Sequence, residues 1–89
     1  MVTMYTSANC GYCTRAEQLL REQGVVPVKI RIDVDPAQRE IMLARSGQRR
    51  TVPQIFIGDQ HVGGYHELLQ LARDGELDAL LAQDLNTTP

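Results

Sequence analysis

The chain has no tryptophan, one phenylalanine and only two cysteines in 89 residues. With so few aromatics, its core has to be filled largely by aliphatic side chains. Two cysteines cannot build the dense disulfide framework of a small secreted scaffold. There is no surplus of basic charge. The formal net charge is −2 and the sequence pI about 5.5, which gives no electrostatic case for binding nucleic acid or a membrane surface. No apolar run approaches the ~20 residues needed to span a bilayer. The start of the chain has neither a basic n-region nor an apolar h-region, so no signal peptide is expected. Ser/Gly-rich linkers, internal repeats and low-complexity segments are also missing. Hydrophobic content is 43%, and the expectation is one compact domain over 1–85 with a frayed tail at 86–89.

What is present centres on the two cysteines, which form Cys10-Gly-Tyr-Cys13. A β-type run, Val2 to Thr6, precedes this pair, and a helix-type run, Thr14 to Gln23, follows it. Cys10 therefore falls at a strand-to-helix turn, at or just before the helix start. Unpaired N–H groups and the macrodipole leave partial positive charge there, which favours a thiolate. Cys13 is expected one turn inside the helix, with its side chain held back. The pair reads as an attacking thiol, Cys10, and a resolving thiol, Cys13. A structural disulfide closing so short a loop would gain little. His61 and His66 supply a formal C-x2-C…H-x4-H, but zinc fingers separate the two halves by about a dozen residues, and here most of the chain intervenes. A C-x-x-C on a β-α pattern without an export signal points to the cytosol, where disulfides are transient and catalytic.

Further along, Val28-Lys-Ile-Arg-Ile32 alternates apolar and basic residues and reads as a strand with one buried face. With the elements before it, it makes a βαβ unit with two parallel strands. Asp35-Pro36 opens a second helix as N-cap and N1 residue, ending near Ser46, with Ala37, Ile41 and Ala44 as its apolar face and Met42 nearby. Gln54 to Ile57 reads as a buried strand, Gly58-Asp59 as a hairpin turn and Gln60-His-Val62 as the return strand. Pro53 stands at the strand's first position, and base rates alone make its peptide bond trans. Gly63-Gly64 leads into a third helix, Tyr65 to Asp74, and Glu76 to Gln83 is a short last one. The order β-α-β-α-β-β-α, plus a final helix, predicts an α/β fold with one four-stranded mixed sheet flanked by helices.

Taken together, Tyr5-Thr6, Cys10-Gly-Tyr-Cys13, Arg45-Ser-Gly47, Thr51-Val-Pro-Gln-Ile-Phe-Ile57 and His61-Val-Gly-Gly64 resemble a bacterial glutaredoxin of the small dithiol kind, over nearly the whole chain. The resemblance implies a thioredoxin-like fold and a cis bond before Pro53. It also implies a cytoplasmic, monomeric enzyme of cell redox homeostasis that uses glutathione as co-substrate on glutathionylated or disulfide-containing proteins. Carried over residue by residue, the glutathione site comprises Tyr12, Thr51, Val52, Pro53, Gly64, Tyr65 and His66. Its cysteine meets Cys10 and pairs with the Val52 backbone. Its γ-glutamyl carboxylate lies at the start of the third helix, an anion site on physical grounds too.

Four departures from the family pattern bear on function. Gly11 replaces the usual proline after the first cysteine. Ser7 is the nearest match to a lysine usually found before the motif. Tyr65 and His66 stand where a small residue and an aspartate are usual, and the segment from Arg45-Ser-Gly47 to Thr51-Val-Pro53 is one residue longer. Arg15, Arg39, Arg49 or Arg50 would then supply the missing cation, and Glu67 would replace the aspartate. Altered glutathione recognition is the expectation. His61 is read as a strand residue without chemistry, and His66 as either a surface residue or a glutathione contact. Gly11 and the missing lysine also motivate an alternative, a carrier with a [2Fe–2S] cluster bridged between two chains through Cys10 and two glutathiones. A further rival is a glutathione-independent redoxin fed by thioredoxin reductase.

Overall fold

The computed structural model describes residues 1–86, with eight elements in the order β1 (Val2–Thr6), α1 (Gly11–Glu22), β2 (Val28–Arg31), α2 (Pro36–Arg45), β3 (Gln54–Ile57), β4 (Gln60–Gly63), α3 (Tyr65–Arg73) and α4 (Leu77–Asn86). The four strands form one sheet in the order β2-β1-β3-β4. β1 runs parallel to β2 and antiparallel to β3, and β3 and β4 make the hairpin. This is the expected mixed sheet of a βαβ half joined to a ββα half.

The two central strands are buried at every position because helices cover both of their faces. On one side Val2, Met4, Ile55 and Ile57 pack with Ala16 and Leu20 of α1, Leu68 of α3, and Leu77 and Leu81 of α4. On the other, Tyr5 and Phe56 pack edge to face and meet Met42 and Leu43 of α2 with Ile32. The two layers pin β1 and β3 in register, so the loops at the ends of these strands are held by the core. Those loops carry Cys10 and Pro53.

Three local expectations change. α1 begins at Gly11, so Cys13 lies in its first turn, not one turn inside. The buried face of α2 is Met42 and Leu43, while Ala37, Ile41 and Ala44 are exposed. The longer apolar stems of Met42 and Leu43 bury more area than two alanine methyls, and that difference sets the rotation of the helix. β2 is a thinly covered edge strand. Ile32 is buried and Ile30 partly so, but the α2 layer stops short of Val28, which is 46% exposed. Of the tail expected at 86–89, Asn86 is the last residue of α4, and 87–89 lie outside the described residues.

Capping follows the sequence. The Asp35 carboxylate accepts from the N–H groups of Ala37 and Gln38, with Pro36 in the first helical turn. Replacing fully buried Leu20 with alanine should lower the unfolding free energy by about 2–5 kcal/mol. Asp35→Ala should cost about 1 kcal/mol. Both are read from urea midpoints at unchanged m-value, and a Leu20→Ala loss smaller than that of Asp35→Ala would contradict the packing of α1 on the sheet.

Candidate active site

Cys10 is the N-cap of α1 and has extended backbone angles. Asn9 before it takes a positive φ of 57°, a conformation asparagine tolerates better than most residues. The loop carrying both is tied to the end of β2. Asp33 accepts from the Ala8 N–H and grips Arg31 through two bonds of 2.7 and 2.6 Å. The Arg31 fork holds the Asp33 carboxyl far below its usual range.

Cys10 and Cys13 form a disulfide, with Cα atoms 5.2 Å apart. The Cys13 N–H points at Cys10 Sγ from 3.2 Å. Helix capping is usually done by an oxygen, and here a sulfur takes that place. A sulfur so held is favoured as thiolate, since an N–H and the positive end of the helix both face it. Cys13 is only 4% exposed, and Cys10 is half-buried. Among the described residues no group of three or more His, Cys, Asp or Glu side chains comes together to hold a metal ion. The formal cysteine–histidine zinc pattern does not assemble.

On the β3 side, Cys10 Sγ lies 3.7 Å from the carbonyl oxygen of Val52. The Val52–Pro53 bond is cis, against the base rate for such bonds and in line with what the resemblance implies. Beyond it opens a groove of about 240 Å³ lined by Tyr12, Thr51, Val52, Pro53, Gly64, Tyr65 and His66, together with Arg49 and Glu67. All seven positions carried over for glutathione therefore border one groove. Tyr12 stacks on Tyr65 at 5.8 Å and meets His66 edge-on at 5.3 Å, and the Arg15 guanidinium sits over the Tyr12 ring. These contacts bridge the start of α1 to the start of α3 across the groove.

Arg49 and Glu67 complete the site. Glu67 Oε1 accepts from the Gly64 N–H at 2.8 Å and from Arg49 Nη1 at 2.7 Å. The Gly64 N–H, and after it Arg49, hold the Glu67 carboxyl below its ordinary range. Gly63 makes room for this pair. Its φ is 121°, and a Cβ there would fall 2.5 Å from Glu67 Oε1. The signal for Glu67 was legible in the sequence, as a glutamate three residues after a helix N-cap. Arg49 had only its closeness to Thr51-Val-Pro53 to mark it. Of the four candidate arginines, Arg49 alone lines the groove.

On the β2 side a larger cleft of about 890 Å³ is lined by both cysteines, neither of which lines the smaller groove. Its floor and walls are polar, and its cations are already matched, Lys29 to Glu17 and Arg31 to Asp33. The start of α1 lines this cleft through Cys10, Gly11, Cys13 and Thr14, as the start of α3 lines the smaller groove. His61, expected to be inert, is half-buried and bonded to Gln54. Burial above all, and then the charge of Arg49, lower its pKa, with Glu67 acting against them and Arg45 with them. Among the described residues no helix is long and apolar enough to cross a membrane.

Comparison with known proteins agrees with this geometry. The glutaredoxin family model matches residues 2–62, which include both cysteines and Val52–Pro53. A glutaredoxin of Neisseria meningitidis serogroup A is 51% identical over 81 residues, covering 90% of this chain and 94% of its own. Glutaredoxin 3 of Escherichia coli K12 is 50% identical over 80 residues, covering 90% and 95%. Among solved structures, a buckwheat glutaredoxin in complex with glutathione superposes with a TM-score of 0.84 at 31% identity, covering 93% of this chain and 77% of that one. With a capped cysteine, its buried partner and this match over most of its length, the chain belongs to the glutaredoxin family of thiol–disulfide oxidoreductases.

Proposed function

We propose that this chain is a glutathione-dependent oxidoreductase in which Cys10 is the nucleophile and Cys13 the resolving thiol. One observation carries the reading. The groove is lined by Val52, whose carbonyl lies 3.7 Å from Cys10 Sγ, and by the start of α3, so a thiol tripeptide seated there with its γ-glutamyl end at the helix N-terminus extends past Val52 toward Cys10.

Two cycles follow. With a glutathionylated protein, the Cys10 thiolate attacks the glutathione sulfur and the protein thiolate leaves. The thiolate of a second glutathione then attacks the Cys10-bound sulfur, releasing oxidised glutathione and restoring the Cys10 thiolate. With a protein disulfide, Cys10 attacks one sulfur and expels the other as thiolate. Cys13 gives up its proton and attacks Cys10 Sγ, which frees the reduced protein and leaves the Cys10–Cys13 disulfide. Two glutathiones then reduce that disulfide. The rate of each exchange depends on the thiolate fraction of the attacker and the pKa of the leaving thiol.

In the groove, the γ-glutamyl carboxylate meets the α3 N-terminus and Arg49, while the ammonium meets Glu67. The incoming zwitterion thus exchanges with the internal Arg49–Glu67 pair, and Glu67 takes over from the aspartate replaced by His66. The chain's expected working form is a monomer. A two-thiol exchange cycle fits the reducing cytosol. The alternative, a [2Fe–2S] cluster held by Cys10 across two chains, asks Cys10 to ligate a metal. The pairing of Cys10 with buried Cys13 inside one chain favours the exchange reading.

The test is turnover of a small glutathione mixed disulfide, coupled through glutathione reductase to NADPH. Cys10→Ser should abolish it. Cys13→Ser should keep deglutathionylation and lose reduction of protein disulfides. Activity surviving in Cys10→Ser would overturn the assignment. A brown, cluster-bearing dimer with negligible wild-type turnover would install the alternative. Glu67→Gln should raise KM for the mixed disulfide about tenfold with kcat little changed, the loss of one charge-assisted contact. An unchanged KM would remove Glu67 from the ammonium site.

A further inference from the structure

Gln54 is fully buried at the start of β3, where an unpaired amide would be costly. Its two ends are both engaged. Nε2 donates to the Thr51 carbonyl at 3.0 Å and approaches Thr51 Oγ1 at 3.3 Å. Oε1 lies 2.7 Å from Nε2 of His61. An amide oxygen only accepts, so the His61 proton must reside on Nε2. The donor holds whether the ring is neutral or charged, and the contact needs a histidine in the Nε2–H form.

The imidazole is itself held in place. His61 is the cross-strand partner of Phe56, and the two rings stack at 4.9 Å. Phe56 is in turn covered by the Arg45 guanidinium at 4.1 Å, and Arg45 donates to the Tyr5 hydroxyl. A line of contacts therefore runs from the α2 face of the sheet, through His61 and Gln54, to Thr51. Thr51 borders the groove and immediately precedes Val52, whose carbonyl faces Cys10.

We infer that His61 is a positioning residue: through Gln54 it fixes Thr51 and Val52, and so sets the backbone against which the glutathionyl moiety binds. The inference rests on the glutathione reading of the groove. It assigns His61 no contact with substrate. Its effect falls on recognition, in ground state and transition state alike, and therefore on KM.

Three variants test it in the same coupled assay. His61→Leu removes the donor and should raise KM for the mixed disulfide about three- to tenfold, with kcat within about twofold, as expected for one lost hydrogen bond. His61→Gln carries a donor at the place of Nε2 and should bring KM back to within about twofold of wild type. In a Gln54→Leu background, His61→Leu should change KM no further, because the link is already cut. An unchanged KM in His61→Leu, or a defect that falls on kcat and that His61→Gln fails to correct, overturns the inference while leaving the glutathione reading intact. Wild-type protein without saturable turnover of the mixed disulfide overturns both. Nitrogen-15 NMR of the wild-type histidines needs no variant to fold. A neutral His61 carrying its proton on Nε2 supports the network, and one carrying it on Nδ1 overturns it.

Discussion

A sulfur atom caps the first helix, and the rest of the site is arranged about that contact. Because Cys10 is the N-cap of α1, its Sγ receives the Cys13 N–H and sits in the positive end of the helix field. The same placement puts the partner cysteine three residues on, inside the first turn, where the chain buries it. The capped sulfur of one cysteine and the burial of the other thus come from one turn of helix. The loop ahead of the helix holds this geometry through Ala8 and Asp33, with Arg31 gripping the carboxylate.

The second half of the site belongs to a different part of the chain and is brought in by the sheet. β1 and β3 are hydrogen-bonded neighbours, so the loop after β1 and the loop before β3 emerge at the same end. That adjacency places Val52 beside Cys10. It depends on two buried layers, one aliphatic and one holding Tyr5 and Phe56, which leave the central strands no freedom to slip. Polar contacts refine the arrangement: Gln54 ties Thr51 to the core, and Glu67 ties Arg49 to the start of α3.

The departures from the family pattern are physically coupled. Tyr65 fills space that a small residue would leave and stacks on Tyr12. His66 lies against the same Tyr12 ring, so it joins an aromatic cluster at a position where an acid is usual. One residue along, Glu67 pairs with Arg49 from the segment before Thr51.

By itself the sequence determined the elements, the redox pair and the capping of α2, because these are set by local periodicity and by residues a few positions apart. The family resemblance located seven positions that converge on one groove, and it implied the cis bond that base rates argued against. Tertiary structure alone decided the rest. It turned α2 to bury Met42 and Leu43, and it left Val28 on a thinly covered edge. It also joined Arg49 to Glu67, and it bonded His61 to Gln54. Each of these depends on which surfaces meet after the sheet assembles. Periodicity within one element carries no information about the partner that packs against it, and a hydrogen bond between β3 and β4 exists only once their register is set.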